Sequence, residues 1–169
     1  MNILVTGGAG YIGSHVSYLL IEKGYDVTII DNLSTGNKKI VPKKANLIKC
    51  DIANVQKIKK LLNEKKFEIV LHFAGLIRVD ESVKYPRKYI QNNYIKSKLF
   101  IDNCISCGLK NIIFSSTAAV YGNPKKKRVD ERDKLKPLNP YAKSKLMIEK
   151  FIINRARKRN LKYIILRYF

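Results

Sequence analysis

The chain has 169 residues, of which 34 are Lys or Arg and 13 are Asp or Glu, so its formal net charge is +21 at pH 7. This length is enough for one domain with a sizeable core, and 46% hydrophobic with 28% charged residues is typical of a water-soluble globular protein. The basic residues are scattered along the chain, which argues against a nucleic-acid partner. The apolar runs are far shorter than the roughly 20 residues of a membrane helix, and the first strand begins beside Met1, so we expect no signal peptide, no membrane partner and a cytoplasmic location.

The first stretch predicts a strand, a glycine-rich turn and a helix. An apolar strand covers Asn2–Thr6, and Gly7, Gly10 and Gly13 follow at three-residue spacing around the start of a helix over Tyr11–Lys23. Glycines allow close approach of a phosphate, and the unpaired N–H groups at a helix start attract an anion. The pattern therefore indicates a pyrophosphate site, although a purely structural turn has the same pattern.

An acidic residue favours the pyrophosphate interpretation. Asp31 ends a second apolar strand, Asp26–Ile30, and lies eighteen residues beyond Gly13. An acidic residue at this distance is expected to accept hydrogen bonds from an adenosine ribose. A carboxylate there would also repel a 2′-phosphate, so the predicted cofactor is NAD and not NADP.

The next elements continue the alternation of strands and helices. A short strand, Leu47–Cys50, precedes Asp51, and a helix over Val55–Glu64 leads to a fourth strand, Glu68–His72. Ligands bind at the carboxyl ends of strands in such sheets, so Asp51 is a candidate contact for the adenine amino group. Capping of the helix that begins near Asn54 is an equally good interpretation of Asp51.

A long helix is predicted over Pro86–Cys107. Asn92 and Asn93 lie inside it although Asn disfavours helix interiors, which indicates either a surface accident or a bend that holds a water near the active centre. Cys104 and Cys107 are spaced like a metal or redox pair, but no second pair exists, so we interpret them as packing residues and predict no metal site.

The remaining elements complete a parallel sheet. Strands are predicted over Asn111–Ser116 and Lys162–Arg167, with a helix over Asn139–Arg159 between them. The basic run Lys125–Arg128 lies before that helix and is interpreted as a solvated loop. The regular alternation predicts an α/β fold, a Rossmann-like doubly wound parallel sheet with helices on both faces.

A tyrosine and a lysine share one face of the last predicted helix. Tyr141 and Lys145 are four residues apart, and Ser115-Ser116-Thr117 ends the preceding strand. A tyrosine that works as a base near neutrality needs a pKa about three units below its usual value of about 10. A nearby ammonium, the helix N-terminus and a cationic nicotinamide can together supply that shift. The pair therefore predicts a phenolate base, with a hydroxyl available to bridge to a substrate.

With these motifs in this order, the chain resembles the N-terminal half of the extended short-chain dehydrogenase/reductase family, and within it the UDP-glucose 4-epimerases. The matching stretches are Thr6–Gly13, Asp31–Leu33, Asp51-Ile52, His72–Gly75, Glu81–Val83, Ser115–Gly122, Tyr141–Lys145 and Leu166–Phe169. Ile77, followed by Arg78, stands where many epimerases have a cofactor-contacting lysine. Family members that dehydrate sugars carry an Asp-Glu pair after the threonine, whereas this chain has Ala118 and Ala119, which argues against dehydration.

The resemblance implies interconversion of UDP-glucose and UDP-galactose by oxidation and reduction at sugar C4. It implies catalytic roles for Thr117, Tyr141 and Lys145. It also implies NAD contacts from Gly7, Gly10, Tyr11, Ile12, Gly13, Asp31, Asn32, Asp51, Ile52, Phe73, Ala74, Gly75, Asn92, Ser115, Tyr141 and Lys145. Other NAD-dependent nucleotide-sugar enzymes, of the UDP-glucuronate decarboxylase or dTDP-glucose 4,6-dehydratase type, and a non-catalytic NAD-binding fragment are the alternatives.

The resemblance also predicts what lies outside these residues. Family members continue for about as many residues again, so residues 1–169 are expected to be an NAD-binding Rossmann domain that lacks the C-terminal substrate domain. The expected partner of the full-length form is a UDP-hexose. By analogy, its two long helices would form a homodimer interface.

Overall fold

The computed structural model describes residues 1–169 as a six-stranded, entirely parallel sheet with the order β3-β2-β1-β4-β5-β6. The strands are β1 (Asn2–Thr6), β2 (Asp26–Asp31), β3 (Asn46–Lys49), β4 (Ile69–His72), β5 (Asn111–Thr117) and β6 (Lys162–Tyr168). This is the order of the doubly wound dinucleotide-binding fold, in which the chain reverses its direction of winding beside β1. The predicted fold class is confirmed.

Six α-helices connect these strands. They are α1 (Tyr11–Glu22), α2 (Val55–Glu64), α3 (Val79–Lys84), α4 (Pro86–Tyr89), α5 (Ser97–Ser106) and α6 (Pro140–Lys158). Two 3₁₀ turns, Lys38–Ile40 and Ala118–Tyr121, lie in the loops after β2 and β5. None of the helices combines the length and the apolar character that crossing a bilayer requires.

Both faces of the sheet carry core residues, because successive side chains of a strand point to opposite sides. Leu4 and its neighbours pack with α2, α5 and α6 in a cluster of 16 buried residues. Ile3 and Val5 belong to a smaller cluster, against which α1 packs. The sheet is therefore covered on both faces, as a parallel sheet requires.

The helix predicted over Pro86–Cys107 is interrupted. A π-helical segment, Ile90–Lys96, separates α4 from α5, and the short helix α3 precedes them. The π segment widens the turn around Asn92 and Asn93, and it buries Asn93. Sequence periodicity does not distinguish the two helix types over so few residues, so the interruption could not be predicted.

Candidate functional site

A cavity of about 670 Å³ opens at the carboxyl ends of the strands. This size is typical of small-molecule and cofactor sites, and its position beside β1 and β4 is the usual ligand position in this topology. Every residue predicted to bind the cofactor or to take part in catalysis lines it: Gly7, Gly10, Tyr11, Ile12, Gly13, Asp31, Asn32, Asp51, Ile52, Phe73, Ala74, Gly75, Asn92, Ser115, Thr117, Tyr141 and Lys145. The structure thus brings the predicted residues together, and their individual roles stay predictions.

The glycine-rich turn forms one wall, and only glycine fits at its tightest points. Gly7 has φ +70°, and a Cβ built there would lie 2.6 Å from the backbone nitrogen of Ala74. A Cβ at Gly13 would lie 2.8 Å from the Cα of Gly8. The turn therefore lies against the end of β4. Residues 10–13, at the start of α1, line the cavity, and the first N–H groups of this helix have no partners inside it.

Asp31 is held at the end of β2 by backbone donors. Its Oδ2 accepts from the N–H of Ala9 at 3.0 Å, and its Oδ1 accepts from the N–H of Leu33 at 2.8 Å. The residue is only 9% exposed. Each carboxylate oxygen can accept a second hydrogen bond, so Asp31 can still bind a hydroxyl group in the cavity.

Asp51 forms an ion pair that the sequence did not reveal. Its Oδ2 lies 2.5 Å from Nζ of Lys96, in the π segment, and its Oδ1 accepts from the N–H of Ala53 at 2.9 Å. Asn54, not Asp51, caps α2, since its side chain accepts from the N–H of Lys57. The alternative that Asp51 caps this helix is therefore wrong.

Asn93 fixes the segment that follows β4. Its Oδ1 accepts from the N–H of Leu76 and its Nδ2 donates to the carbonyl of Leu76, both at 2.8 Å. Its Nδ2 also donates to Oγ of Ser144 on α6 at 3.3 Å. The asparagine pair is therefore not a surface accident, and a water held near the active centre stays a prediction. These hydrogen bonds belong to Asn93, and its partners are protein groups.

The predicted base lies beside its predicted hydroxyl partner. Asn139 caps α6, accepting from the N–H of Ala142 at 2.8 Å, and this fixes the first turn that carries Tyr141. Tyr141 is half-buried and lines the cavity together with Thr117, whose side chain acts to lower the pKa of the phenol. The ring of Tyr89 stands edge-on to that of Tyr141, with the centroids 6.5 Å apart and the planes at 89°.

Lys145 is buried one helical turn further along α6. It is 3% exposed, and its Nζ donates to the carbonyl of Ser115 at 2.8 Å and lies 5.0 Å from the ring centroid of Phe114. Burial lowers the pKa of Lys145 to about 8, and the carboxylate of Glu149 acts in the opposite direction. Lys145 therefore carries most of its charge at pH 7.

The protein groups alone do not lower the pKa of Tyr141, and the lowered pKa expected with a cationic nicotinamide beside it stays a prediction. Burial raises the pKa of Tyr141, and the nearby Thr117 side chain only partly opposes that rise. The physical reason is that desolvation of the phenolate outweighs the nearby polar groups. A phenolate at neutrality thus needs additional positive charge at this site.

The sequence analysis assigned no role to two acidic groups near the site, although Glu81 lies in one of the matching stretches. Glu81, on the cavity wall, accepts from the hydroxyl of Tyr89 at 2.8 Å and from Nζ of Lys88 at 2.6 Å. Glu149, on α6, is 1% exposed and lies within an ion pair with Arg167. Only the spacing of Lys145 and Glu149, four residues apart, indicated that the second group shares the face of the lysine.

Residues 3–169 match the model of the NAD dependent epimerase/dehydratase family. The chain belongs to this family. It is 43% identical over its whole length to a UDP-glucose 4-epimerase of Corynebacterium glutamicum, of which it covers 51%. Two solved structures superpose on 99% of the chain at 38% identity, each with a TM-score of 0.96. One is the UDP-glucose 4-epimerase from Brucella ovis in complex with NAD, and the other is the UDP-Glc/GlcNAc 4-epimerase from Campylobacter jejuni.

The chain spans about half the length of the curated relatives that it matches, and it covers 51% and 53% of those two solved chains. Its likeness therefore concerns the half of the relatives that contains the glycine-rich turn and the Tyr141–Lys145 pair. The predicted resemblance to the N-terminal half of the UDP-glucose 4-epimerases is confirmed.

Proposed function

We propose that this chain is the NAD-binding, catalytic half of a UDP-sugar 4-epimerase that interconverts UDP-glucose and UDP-galactose. The observation that carries the proposal is the meeting of Tyr141, Thr117 and Lys145 in one cavity with the glycine-rich turn. The names of the matching relatives support the same substrate class.

The residues of the cavity fit NAD. Gly7, Gly10 and Gly13 line the cavity and carry no side chain, so a pyrophosphate can approach the start of α1 closely. The Asp31 carboxylate, held by Ala9 and Leu33, can accept from the hydroxyls of the adenosine ribose and would repel a 2′-phosphate. Bound NAD would supply a hydride acceptor and a positive charge on its nicotinamide ring.

The chain's own groups handle the proton. Tyr141, as the phenolate, takes the proton of the sugar 4-hydroxyl, either directly or through the Thr117 hydroxyl, and it returns the proton when the hydroxyl forms again. Lys145 holds the nicotinamide ribose and adds positive charge beside Tyr141. This charge acts against the burial that raises the pKa of Tyr141.

The proposed function also includes the domain organisation and the location of the full-length protein. Residues 1–169 are the NAD-binding domain, and a substrate domain belongs to the full-length form, which is cytoplasmic, homodimeric and active in galactose metabolism. The edge strand β6 carries exposed apolar side chains, since Tyr163 is 41% and Ile164 is 54% exposed. This exposure supports the proposal that a further part of the full-length protein covers β6.

A second candidate function is another NAD-dependent reaction of nucleotide sugars, such as decarboxylation. The glycine-rich turn and the Tyr141–Lys145 pair suit that chemistry equally well. Dehydration is disfavoured because Ala118 and Ala119 begin the 3₁₀ turn after Thr117 and offer no acid or base. Incubation with UDP-glucuronate and product analysis distinguish this candidate from the epimerase.

The first test is the melting temperature of the 169-residue chain with NAD and with NADP. We expect NAD to raise it and NADP to leave it unchanged. In the full-length form, UDP-galactose should be converted to UDP-glucose, and Tyr141→Phe should lower the rate at least about 100-fold. Tyr163→Phe is the matched control, because Tyr163 lies on β6 outside the cavity. Equal rates for the two variants would contradict the role of Tyr141.

A further inference from the structure

The face of α6 that carries Tyr141 and Lys145 continues to a buried acid that the proposed reaction does not use. Glu149 is one turn beyond Lys145 and is 1% exposed. A buried carboxylate is costly unless it is paired, so its position beside a buried ammonium needs an explanation.

Three groups hold the Glu149 carboxylate. The hydroxyl of Ser116 donates to its Oε1. Arg167, on β6, donates from Nη2 to Oε2 at 2.7 Å and from Nε to Oε1 at 3.1 Å, which is a forked ion pair. Arg167 is itself positioned by Tyr121, whose hydroxyl accepts from Nη1 at 2.8 Å.

The two charged groups of α6 are anchored to adjacent residues of one strand. Nζ of Lys145 donates a hydrogen bond to the carbonyl of Ser115, and the carboxylate of Glu149 accepts one from the hydroxyl of Ser116. The Cβ atoms of residues four apart on a helix lie about 6 Å apart, and both head groups reach adjacent residues of β5, so the carboxylate is within Coulombic reach of the ammonium. The strand therefore fixes both groups in one geometry.

We propose that Glu149 is a positioning residue for Lys145, whose buried carboxylate keeps the lysine protonated and held at the wall of the cavity. The proposal rests on the proposed function for the importance of a charged Lys145, but the charge itself can be measured separately. The forked pair with Arg167 keeps the carboxylate in place, and it leaves an alternating row of charges: ammonium, carboxylate and guanidinium.

The other ionisable groups near Lys145 do not replace Glu149. His72, on β4, is fully buried, and burial together with the charge of Lys145 lowers its pKa to about 3, so it is neutral. Tyr141, one turn earlier on α6, has a raised pKa and is also neutral. Arg167 is positive and can only disfavour the ammonium. Glu149 is thus the group that opposes the desolvation of Lys145.

The test is the titration of Lys145 in the 169-residue chain, followed through the pH dependence of acetylation of individual lysines by mass spectrometry. In Glu149→Gln we expect the midpoint of Lys145 to fall by about one to two pH units, because burial is then unopposed. In Glu149→Asp, which keeps the carboxylate, the midpoint should stay close to that of the parent chain. A midpoint in Glu149→Gln within about 0.3 pH units of the parent value overturns the proposal.

A matched control separates this effect from loss of stability. Asp102→Asn removes a carboxylate that pairs with Arg155 of α6, with Arg155 Nη2 3.2 Å from Oδ2, but it lies away from Lys145. It should lower the melting temperature without moving the Lys145 midpoint. If Glu149→Gln does not fold because Arg167 is left unpaired, the double variant Glu149→Gln/Arg167→Met removes that charge, and a smaller fall of the Lys145 midpoint is expected because a positive charge near the ammonium is lost as well.

Binding of NAD gives a second readout. With a Lys145 midpoint that is one to two pH units lower, Glu149→Gln should bind NAD about five- to fiftyfold more weakly than the parent chain at pH 8, and within about twofold of it at pH 6. A constant ratio at both pH values would contradict the proposal. Failure of the parent chain itself to bind NAD would contradict the proposed function instead, whatever Lys145 does.

Discussion

Nζ of Lys145 donates a hydrogen bond to the carbonyl oxygen of Ser115 at 2.8 Å, in a part of the structure where the lysine is only 3% exposed. One carbonyl and the nearby carboxylate of Glu149 do not fully replace the water that the ammonium loses, since the pKa of Lys145 falls from 10.5 to about 8. A group of this kind reduces the stability of the fold at neutral pH.

Replacement of this lysine should therefore stabilise the protein while removing its function. The unfolded chain binds the proton of Lys145 more tightly than the folded chain does. The buried ammonium therefore destabilises the fold by its full amount below pH 8 and not at all above pH 10.5. The fall in the pKa of Lys145 from 10.5 to about 8 corresponds to about 3 kcal/mol. Lys145→Met also removes the hydrogen bond to Ser115, which reduces the gain. We therefore expect the variant to raise the free energy of unfolding by about 1 to 3 kcal/mol at pH 7. Urea denaturation measures this change, and NAD should no longer raise the melting temperature.

The control for this experiment is Lys143→Met, which removes an exposed lysine of the same helix. It should change the free energy of unfolding by less than about 0.5 kcal/mol and leave NAD binding intact. A Lys145→Met variant that is less stable than the parent at pH 7 would show that the buried ammonium does not destabilise the fold.

The carboxylate of Asp31 should determine the choice between NAD and NADP. Asp31→Asn keeps the size of the side chain but replaces one acceptor oxygen by a donor and removes the negative charge. We expect NAD to bind about 10- to 100-fold more weakly, because charge-assisted hydrogen bonds contribute about 1.5 to 3 kcal/mol, and we expect the discrimination against NADP to shrink. Isothermal titration with both cofactors measures this.

Asp26→Asn is the matched control, since Asp26 begins the same strand and pairs with Lys65 at 2.8 Å outside the cavity. It should leave both cofactor affinities unchanged. Unaltered preference for NAD in Asp31→Asn would mean that groups other than this carboxylate exclude the 2′-phosphate.

The sequence predicted the sheet and the cavity because their signals are local. An apolar run such as Ile3 to Val5, a glycine at a position without room for a Cβ, and a capped helix start at Asn139 each determine structure over a few residues. The chain order of these signals then places their ends at one edge of a parallel sheet.

Contacts between distant residues were not accessible in the same way. The partners of the ion pair Asp51–Lys96 are 45 residues apart in the sequence, and those of Glu149–Arg167 are 18 residues apart. Burial raises the pKa of Tyr141 in the chain without bound NAD, and the sequence could not reveal this, because the spacing of Tyr141 and Lys145 indicates the attraction between charges but not the burial that opposes it.

Asn93 and Asn92 should differ sharply in their contribution to stability. Asn93 is buried and makes hydrogen bonds to Leu76 and Ser144, whereas Asn92 donates one bond, to Asn93 at 3.1 Å. Asn93→Ala should lower the free energy of unfolding by about 2 to 3 kcal/mol, and Asn92→Ala by less than about 1 kcal/mol. Chemical denaturation of the two variants measures both values, and equal losses would contradict the assignment of Asn93 as the residue that fixes the segment after β4.

His72 should make the fold sensitive to acid. Its ring is fully buried, and it is hydrogen-bonded to Oγ1 of Thr6 at 2.6 Å and to Oγ of Ser97 at 2.9 Å. Burial, and to a lesser extent the charge of Lys145, lowers the pKa of His72 from 6.5 to about 3. The ring therefore stays neutral in the folded protein at pH values where it is protonated in the unfolded chain.

The sign of the effect follows from the two pKa values. Between pH 6.5 and pH 3 the unfolded chain binds the additional proton, so the free energy of unfolding falls as the pH falls. His72 alone should account for a loss of about 3 kcal/mol in the free energy of unfolding between pH 7 and pH 4.

His72→Phe keeps an aromatic ring beside Phe100 and Phe114, and it should lower the stability at pH 7 because two buried hydroxyls lose their partner. The variant should lose about 3 kcal/mol less than the parent chain when the pH is lowered to 4, as measured by urea denaturation at both pH values. His15→Phe, which replaces an exposed histidine of α1, should keep the parent's pH dependence, and an equal loss in His72→Phe and the parent would show that this ring is not the group that titrates.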